Sequence, residues 1–238
     1  MTLNAPRTPG TTERLHSAFG DWTPRAVVFD CDGLLLDTET VWNDTQNTVL
    51  ARHGATLTAE QDAAIIGSTL EQSSAVLAEA TGVPYEDMLE EVRAEFLIAL
   101  AEDLEVMPGA AEVLAAAAAR VPLACASNSW HSALVDKLTR TDLIHRFENL
   151  QSSDTVAEGK PAPDMYLAAV EALGVDPADA LAVEDSPAGA HAARDAGLRL
   201  IVVPTEGQEP PPADLSLGTL DDPELLAWIA TWGSRRAT

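Results

Sequence analysis

The sequence predicts an α/β protein, a doubly wound parallel sheet with an all-helical domain inserted after its first strand. Three observations predict it. Short apolar runs alternate with helix-length segments through the second half of the chain. A long stretch of helical periodicity separates the first apolar run from the others. Polar clusters stand where the apolar runs end, which is where ligands bind in sheets of this kind.

Residues 1–24 are polar and rich in Thr and Pro, and read as a flexible leader in which Leu15, Phe19 and Trp22 are the groups able to dock. Ala26 to Phe29 is a buried strand running into the tight loop Asp30-Cys31-Asp32-Gly33. Residues 25–36 and 107–238 are assigned to the α/β domain and 37–106 to the helical insert. Within the insert, Thr58 with Gln61 and Thr69 with Gln72 match capping boxes, and Gly54 and Gly82 suit helix stops. Met88, Val92, Phe96 and Leu100 form one stripe at helical spacing. The acidic cluster Glu86, Asp87, Glu90 and Glu91 reads as a solvated face.

After Met107-Pro108-Gly109 the alternation begins. Strands are predicted at Val121–Ala126, Ala180–Val183 and Leu200–Val203. Helices are predicted at about Trp130–Leu138, Pro163–Leu173 and Pro187–Ala196, the last two stopped by Gly174 and Gly197. Pro210-Pro211-Pro212 marks a loop before a final strand and helix, whose Leu225, Leu226, Trp228 and Ile229 face the core.

Composition bounds the partners. The 238 residues hold 46% hydrophobic and 22% charged side chains, an ordinary globular balance. Asp and Glu number 38 against 14 Lys and Arg, a formal net charge of -24. Such a surface repels nucleic acid and anionic membrane, so neither is an expected partner. Lys137 and Lys160 are the only lysines. Two cysteines in apolar stretches argue against a disulfide framework and for a cytoplasmic setting. No apolar stretch is long enough to span a bilayer. A monomer is expected.

Four clusters fall at strand ends: Asp30 with Asp32, Ser127 with Asn128, Lys160, and Glu184 with Asp185. Asp30 and Asp32 are two apart, so an extended backbone points both the same way. Crowded carboxylates repel unless a cation joins them, and hard oxygen donors suit Mg2+. Asp30, Asp32, Asp185 and Glu184 are therefore the candidate metal ligands, with the choice between Glu184 and Asp185 left open. Asp185 also stands where it could cap the helix that begins near Pro187. His16, His53, His131, His145 and His191 lack ligand spacing and read as surface or structural. Cys31 alternates away from its neighbours and reads as core.

In these four clusters, taken in order, the chain resembles the haloacid dehalogenase superfamily, a Rossmann-like core with a helical cap, over residues 26 to about 204. Val27-Val28-Phe29-Asp30-Cys31-Asp32-Gly33 is similar to the first motif, which implies Asp30 as nucleophile and Asp32 as acid/base. Ala126-Ser127-Asn128 resembles the second, with Ser127 and Asn128 on the substrate phosphate, and Gly159-Lys160-Pro161 the third, with Lys160 beside it. Val183-Glu184-Asp185-Ser186 resembles the metal-holding fourth. The resemblance implies a Mg2+-dependent phosphatase acting on a small phosphorylated metabolite, a sugar phosphate or nucleoside monophosphate. Dehalogenases and phosphonatases of the superfamily lack the second Asp, which is present here. β-Phosphoglucomutases carry two cations around a cap-loop Gly and a His on the first cap helix. This chain offers Ile66, Gly67, Ser68 and Leu70 in that loop and Trp42 on that helix, so a phosphomutase is the alternative. A non-catalytic phosphometabolite-binding protein is the alternative of another class.

Overall fold

The computed structural model describes residues 12–65, 70–205 and 209–233, and divides into two units, Met1–Leu36 with Val106–Thr238, and Asp37–Glu105. The unit boundaries fall after Leu36 and after Glu105.

The larger unit is built on a six-stranded sheet: β1 (Ala26–Phe29), β2 (Leu123–Ser127), β3 (Asn149–Ser152), β4 (Ala180–Glu184), β5 (Arg199–Val202) and β6 (Leu215–Ser216). Every pairing is parallel, in the order β3-β2-β1-β4-β5-β6. β1, β2 and β4 are buried throughout, as parallel strands covered on both faces must be. The chain steps outward from β1 to β3, then returns to lay β4 on β1's other side. That reversal is the topological switch point where such sheets bind ligands. β3 was not predicted. Its Asn149 and Gln151 break the apolar run, which an edge strand tolerates and a central one does not.

Helices complete this unit: α1 (Glu13–Phe19), α6 (Ala110–Ala118), α7 (His131–Arg140), α8 (Asp164–Ala172), α9 (Pro187–Asp195) and α10 (Pro223–Thr231). α1 corrects the expectation of a flexible leader for residues from 12 onward; residues 1–11 lie outside the described set. Leu15 and Phe19 are buried, Phe19 stacks on Trp228 at 5.0 Å between ring centroids, and Arg14 pairs with Asp222 at 2.7 Å. Seven residues are too short a run for a clear helical periodicity, and the helix is held by partners near the far end of the chain as well as by Trp22.

The smaller unit contains α2 (Thr38–Arg52), α3 (Ala59–Ile65), α4 (Leu70–Thr81) and α5 (Tyr85–Asp103). Its core holds Val49, Leu77, Met88 and Val92, with Trp42 and Leu70 packed against it. The predicted Thr58–Gln61 capping box is made in both directions: Thr58 N donates to Gln61 Oε1 at 3.0 Å, and Gln61 N to Thr58 Oγ1 at 3.2 Å. The box expected at Thr69 falls outside the described residues. Glu91 stands on the same surface but is half-buried and paired. It pairs with Arg52 at 2.7 Å and His53 at 2.8 Å, while Glu86, Asp87 and Glu90 are exposed.

Candidate active site

β1 ends at Phe29, and Asp30 follows with its backbone N–H still donating to Val183 of β4 at 3.0 Å. The chain then turns sharply. Leu35 and Leu36 both donate to the Cys31 carbonyl, and Gly33 sits at φ +82°, where a side chain is strained. This turn brings Asp30 and Asp32 out at the carboxyl end of the central strand. β2 ends there with Ser127, and β4 with Glu184 and Asp185. Lys160 reaches the same end from the loop between β3 and α8.

The residues form two linked groups. In the first, the Lys160 ammonium donates to Asp30, to the Ala126 carbonyl at 2.8 Å and to Glu184 Oε1 at 2.6 Å. Tyr166 Oη donates to the same Glu184 oxygen at 2.5 Å. The other, Oε2, accepts from Ser186 Oγ at 3.2 Å and from the N–H groups of Asp185 and Ser186. Burial pushes the Asp30 carboxyl up to about 8; Lys160 opposes the rise, and the charges of Glu184 and Asp32 add to it. Burial also works against the Lys160 ammonium, but Asp30 and Glu184 outweigh it and hold its pKa well above the lysine range.

In the second group, Asp32 Oδ2 accepts from Ser127 Oγ at 2.7 Å and Ser129 Oγ at 3.0 Å, while Oδ1 pairs with the Lys137 ammonium. Lys137 also donates to Ser129 Oγ at 2.8 Å. Burial pushes the Asp32 carboxyl up, but Lys137 and the two hydroxyls outweigh that and leave it below the ordinary range.

Oxygen atoms of Asp30, Glu184 and Asp185 lie within 4.8 Å of one another, all three residues buried. This cluster fits a hard divalent cation by donor chemistry. It fits by charge as well: Asp30, Asp32, Glu184 and Asp185 facing Lys137 and Lys160 leave two negative charges when all are ionised. Asp32, expected among the ligands, is not in the cluster. The turn that starts at Cys31 ends the two-residue alternation, and its carboxylate goes to Ser127, Ser129 and Lys137 instead.

Asn128, expected on the phosphate, spends both ends of its amide on the Lys160 backbone: Oδ1 accepts from Lys160 N at 2.9 Å and Nδ2 donates to Lys160 O at 3.1 Å. It holds the Lys160 loop. Ser186, not Asp185, caps α9 through Gly189 N at 3.1 Å. Cys31 and Cys125 are free and buried. Trp42 and Leu70 belong to the helical unit, where Trp42 packs edge-on against Phe96 at 5.0 Å; Ile66, Gly67 and Ser68 fall outside the described residues.

Four residues escaped the sequence reading: Ser129, Lys137, Tyr166 and Gly189. Lys137 left a signal, since it takes an apolar-face position between Leu134 and Leu138 and is one of two lysines. Gly189 left none. A Cβ there would stand 1.8 Å from Glu184 Oε1.

The haloacid dehalogenase-like hydrolase family matches residues 27–203 of this chain, spanning all of these groups. The chain belongs to that family. It is similar to a phosphorylated carbohydrates phosphatase of Thermotoga maritima, 32% identical over 74% of this chain and 83% of that one. It is also 32% identical to (DL)-glycerol-3-phosphatase 2 of Arabidopsis thaliana, over 75% of this chain and 78% of that one. Among solved structures, a candidate β-phosphoglucomutase from Thermotoga maritima superposes with a TM-score of 0.75 at 28% identity, covering 87% of this chain and 98% of that one. As a haloacid dehalogenase-like hydrolase, the chain is an enzyme of the phosphoric monoester hydrolase type. No helix among the described residues is long and apolar enough to cross a membrane.

Proposed function

We propose that the protein is a Mg2+-dependent phosphatase that hydrolyses a small sugar or polyol phosphate, or a nucleoside monophosphate, through an aspartyl-phosphate on Asp30. One observation carries this reading: a buried carboxylate, an ammonium and two further acids converge at the carboxyl ends of β1 and β4. An Asp30 oxygen attacks phosphorus, the bond to the leaving oxygen breaks, and Asp32, which must enter the cycle protonated although Lys137, Ser127 and Ser129 favour its ionised form, delivers that proton to the leaving oxygen. Asp32, now ionised, takes a proton from water as the water oxygen bonds phosphorus and the Asp30–phosphorus bond breaks. Lys160 and Ser127 neutralise and orient the phosphoryl oxygens.

Asp30 and Asp185 are the residues that would hold the cation, because both Glu184 oxygens are already engaged. The ion would supply charge neutralisation at the phosphoryl group and favour the ionised form of an Asp30 that burial pushes up. The names of the similar phosphatases support a sugar or polyol phosphate. Hydrolysis is favoured over phosphomutation because Ile66 and Leu70 offer no charge to retain a second phosphate.

A phosphate-release screen over sugar phosphates, polyol phosphates and nucleoside monophosphates tests the reading. Turnover should appear with Mg2+, vanish with EDTA and be absent from Asp30→Asn. Activity surviving chelation removes the metal, and an active Asp30→Asn removes the nucleophile. Glucose 6-phosphate accumulating from β-glucose 1-phosphate would restore the phosphomutase.

A further inference from the structure

Lys137 is almost fully buried at 3% exposure, on the face of α7 that also buries Leu134 and Leu138. Nothing in the chemistry described so far uses it. Its ammonium meets Asp32 Oδ1 across 105 residues of chain, and its second bond, to Ser129 Oγ, joins it to a hydroxyl that itself donates to Asp32 Oδ2. Ser127 adds a third donor. Both oxygens of Asp32 are thus held, and rotation of the carboxylate breaks at least one charge-assisted bond.

A stabilising role accounts poorly for such a lysine. Burying an ion pair costs desolvation on both sides, and an apolar pair of similar volume often serves stability as well or better. Orientation accounts for it directly. A carboxylate that must meet the leaving oxygen and then water needs one fixed direction, and a small misplacement is expensive in rate. Without Lys137, Asp32 faces the charge of Asp30 and loses the ammonium that is its ion-pair partner among the described residues.

We propose that Lys137 is a positioning residue for the reaction: with Ser129 it fixes the Asp32 carboxylate outside the metal-binding cluster, in the direction of the leaving group. This inference rests on the phosphatase reading and on Asp32 as its acid/base.

The test compares two esters under Mg2+. Glycerol 3-phosphate leaves as an alkoxide and needs Asp32's proton, whereas 4-nitrophenyl phosphate leaves as a stable phenolate and does not. For Lys137→Met, kcat/KM on the alkyl ester should fall by about 10²-fold or more, and on the nitrophenyl ester by less than about tenfold. The nitrophenyl ester should also leave acid-stable phosphoenzyme accumulating, because water is then activated slowly. Lys137→Arg should recover part of the alkyl-ester rate by restoring the charge. A melting temperature within about 4 °C of the parent shows that the variant is folded; should the Met variant fail to fold, Lys137→Gln and Lys137→Arg are read by the same ratio. Equal losses on both esters, or parental rates on both, overturn the role of Lys137. Asp30→Asn keeps the two readings apart: if it turns over, the phosphatase mechanism fails and this inference with it. If it is silent while Lys137→Met matches the parent, Lys137 alone is refuted.

Discussion

Glu184 decides more of this site than its place among the candidate ligands suggested. Five donors converge on its two oxygens, from Lys160, Tyr166, Asp185 and Ser186, and it is fully buried. It orients the ammonium that faces Asp30. Gly189 makes room for it, because a Cβ at that position would lie 1.8 Å from Oε1 and 2.0 Å from the carboxyl carbon. Glu184 cannot swing aside cheaply, since each bond it leaves strands a buried polar group. Gly189→Ala should therefore cost about 1–3 kcal/mol in urea unfolding, the usual penalty of overpacking. Displacing Lys160 through Glu184 should lower kcat by about 10²-fold. A Gly189→Ala protein with parental stability and rate would show that Glu184 has slack that this packing denies.

Among the elements, α1 and the pair α2–α5 carry the clearest consequences. α1 is held by Leu15 and Phe19 beneath α10, with Arg14 bridging Asp222 and Glu224 at 2.7 and 3.1 Å. Leu15 is wholly buried, so Leu15→Ala should destabilise the protein by about 2–5 kcal/mol, where a leader free of the domain predicts no change. Thermal or urea unfolding distinguishes the two. In the helical unit, burial pushes the Glu91 carboxyl up, but His53 and Arg52 outweigh it and hold it below the ordinary range. A depressed carboxylate contributes stability above its unfolded value, about pH 4.3, and loses it as pH falls through the lower folded value. The pairs are surface ones, so the contribution is about 0.5–1 kcal/mol. Glu91→Gln should reduce stability at pH 7 and weaken its decline on acidification below that window; parallel pH curves for parent and variant would deny the link.

For the whole molecule the governing quantity is the formal net charge of -24. Self-repulsion on that scale opposes the compact state, and added salt screens it. The Debye length falls from about 30 Å at 0.01 M to about 10 Å at 0.1 M ionic strength, well inside the span of the domain. The melting temperature should therefore rise with NaCl over that range, even though exposed pairs such as Arg52–Glu91 weaken. A melting temperature that falls with NaCl would mean that local ion pairs outweigh the global repulsion. The same surface charge concentrates the meaning of the two lysines, since both are buried against Asp30 and Asp32 instead of being spread over the acidic exterior.

Much of this was legible from residue order alone. The apolar runs of β1, β2, β4 and β5, the helical insert and the four polar clusters are local patterns, set by side-chain periodicity and by residue type at strand ends. Asp30, Ser127, Lys160, Glu184 and Asp185 lie at one end of the sheet, as their order in the sequence implies, because a parallel sheet brings its strand ends together whatever the details of packing. The pairing within that end was not local. Lys137 meets Asp32 across 105 residues, and Lys160 meets Asp30 across 130. The turn at Cys31 sends Asp32 away from the cluster its spacing suggested, Asn128 closes on a backbone instead of a ligand, and β3 exists because a sheet edge accepts polar residues. Each is a choice among partners supplied by distant parts of the chain, where burial and geometry rank the alternatives. No window of sequence contains both sides of such a contact.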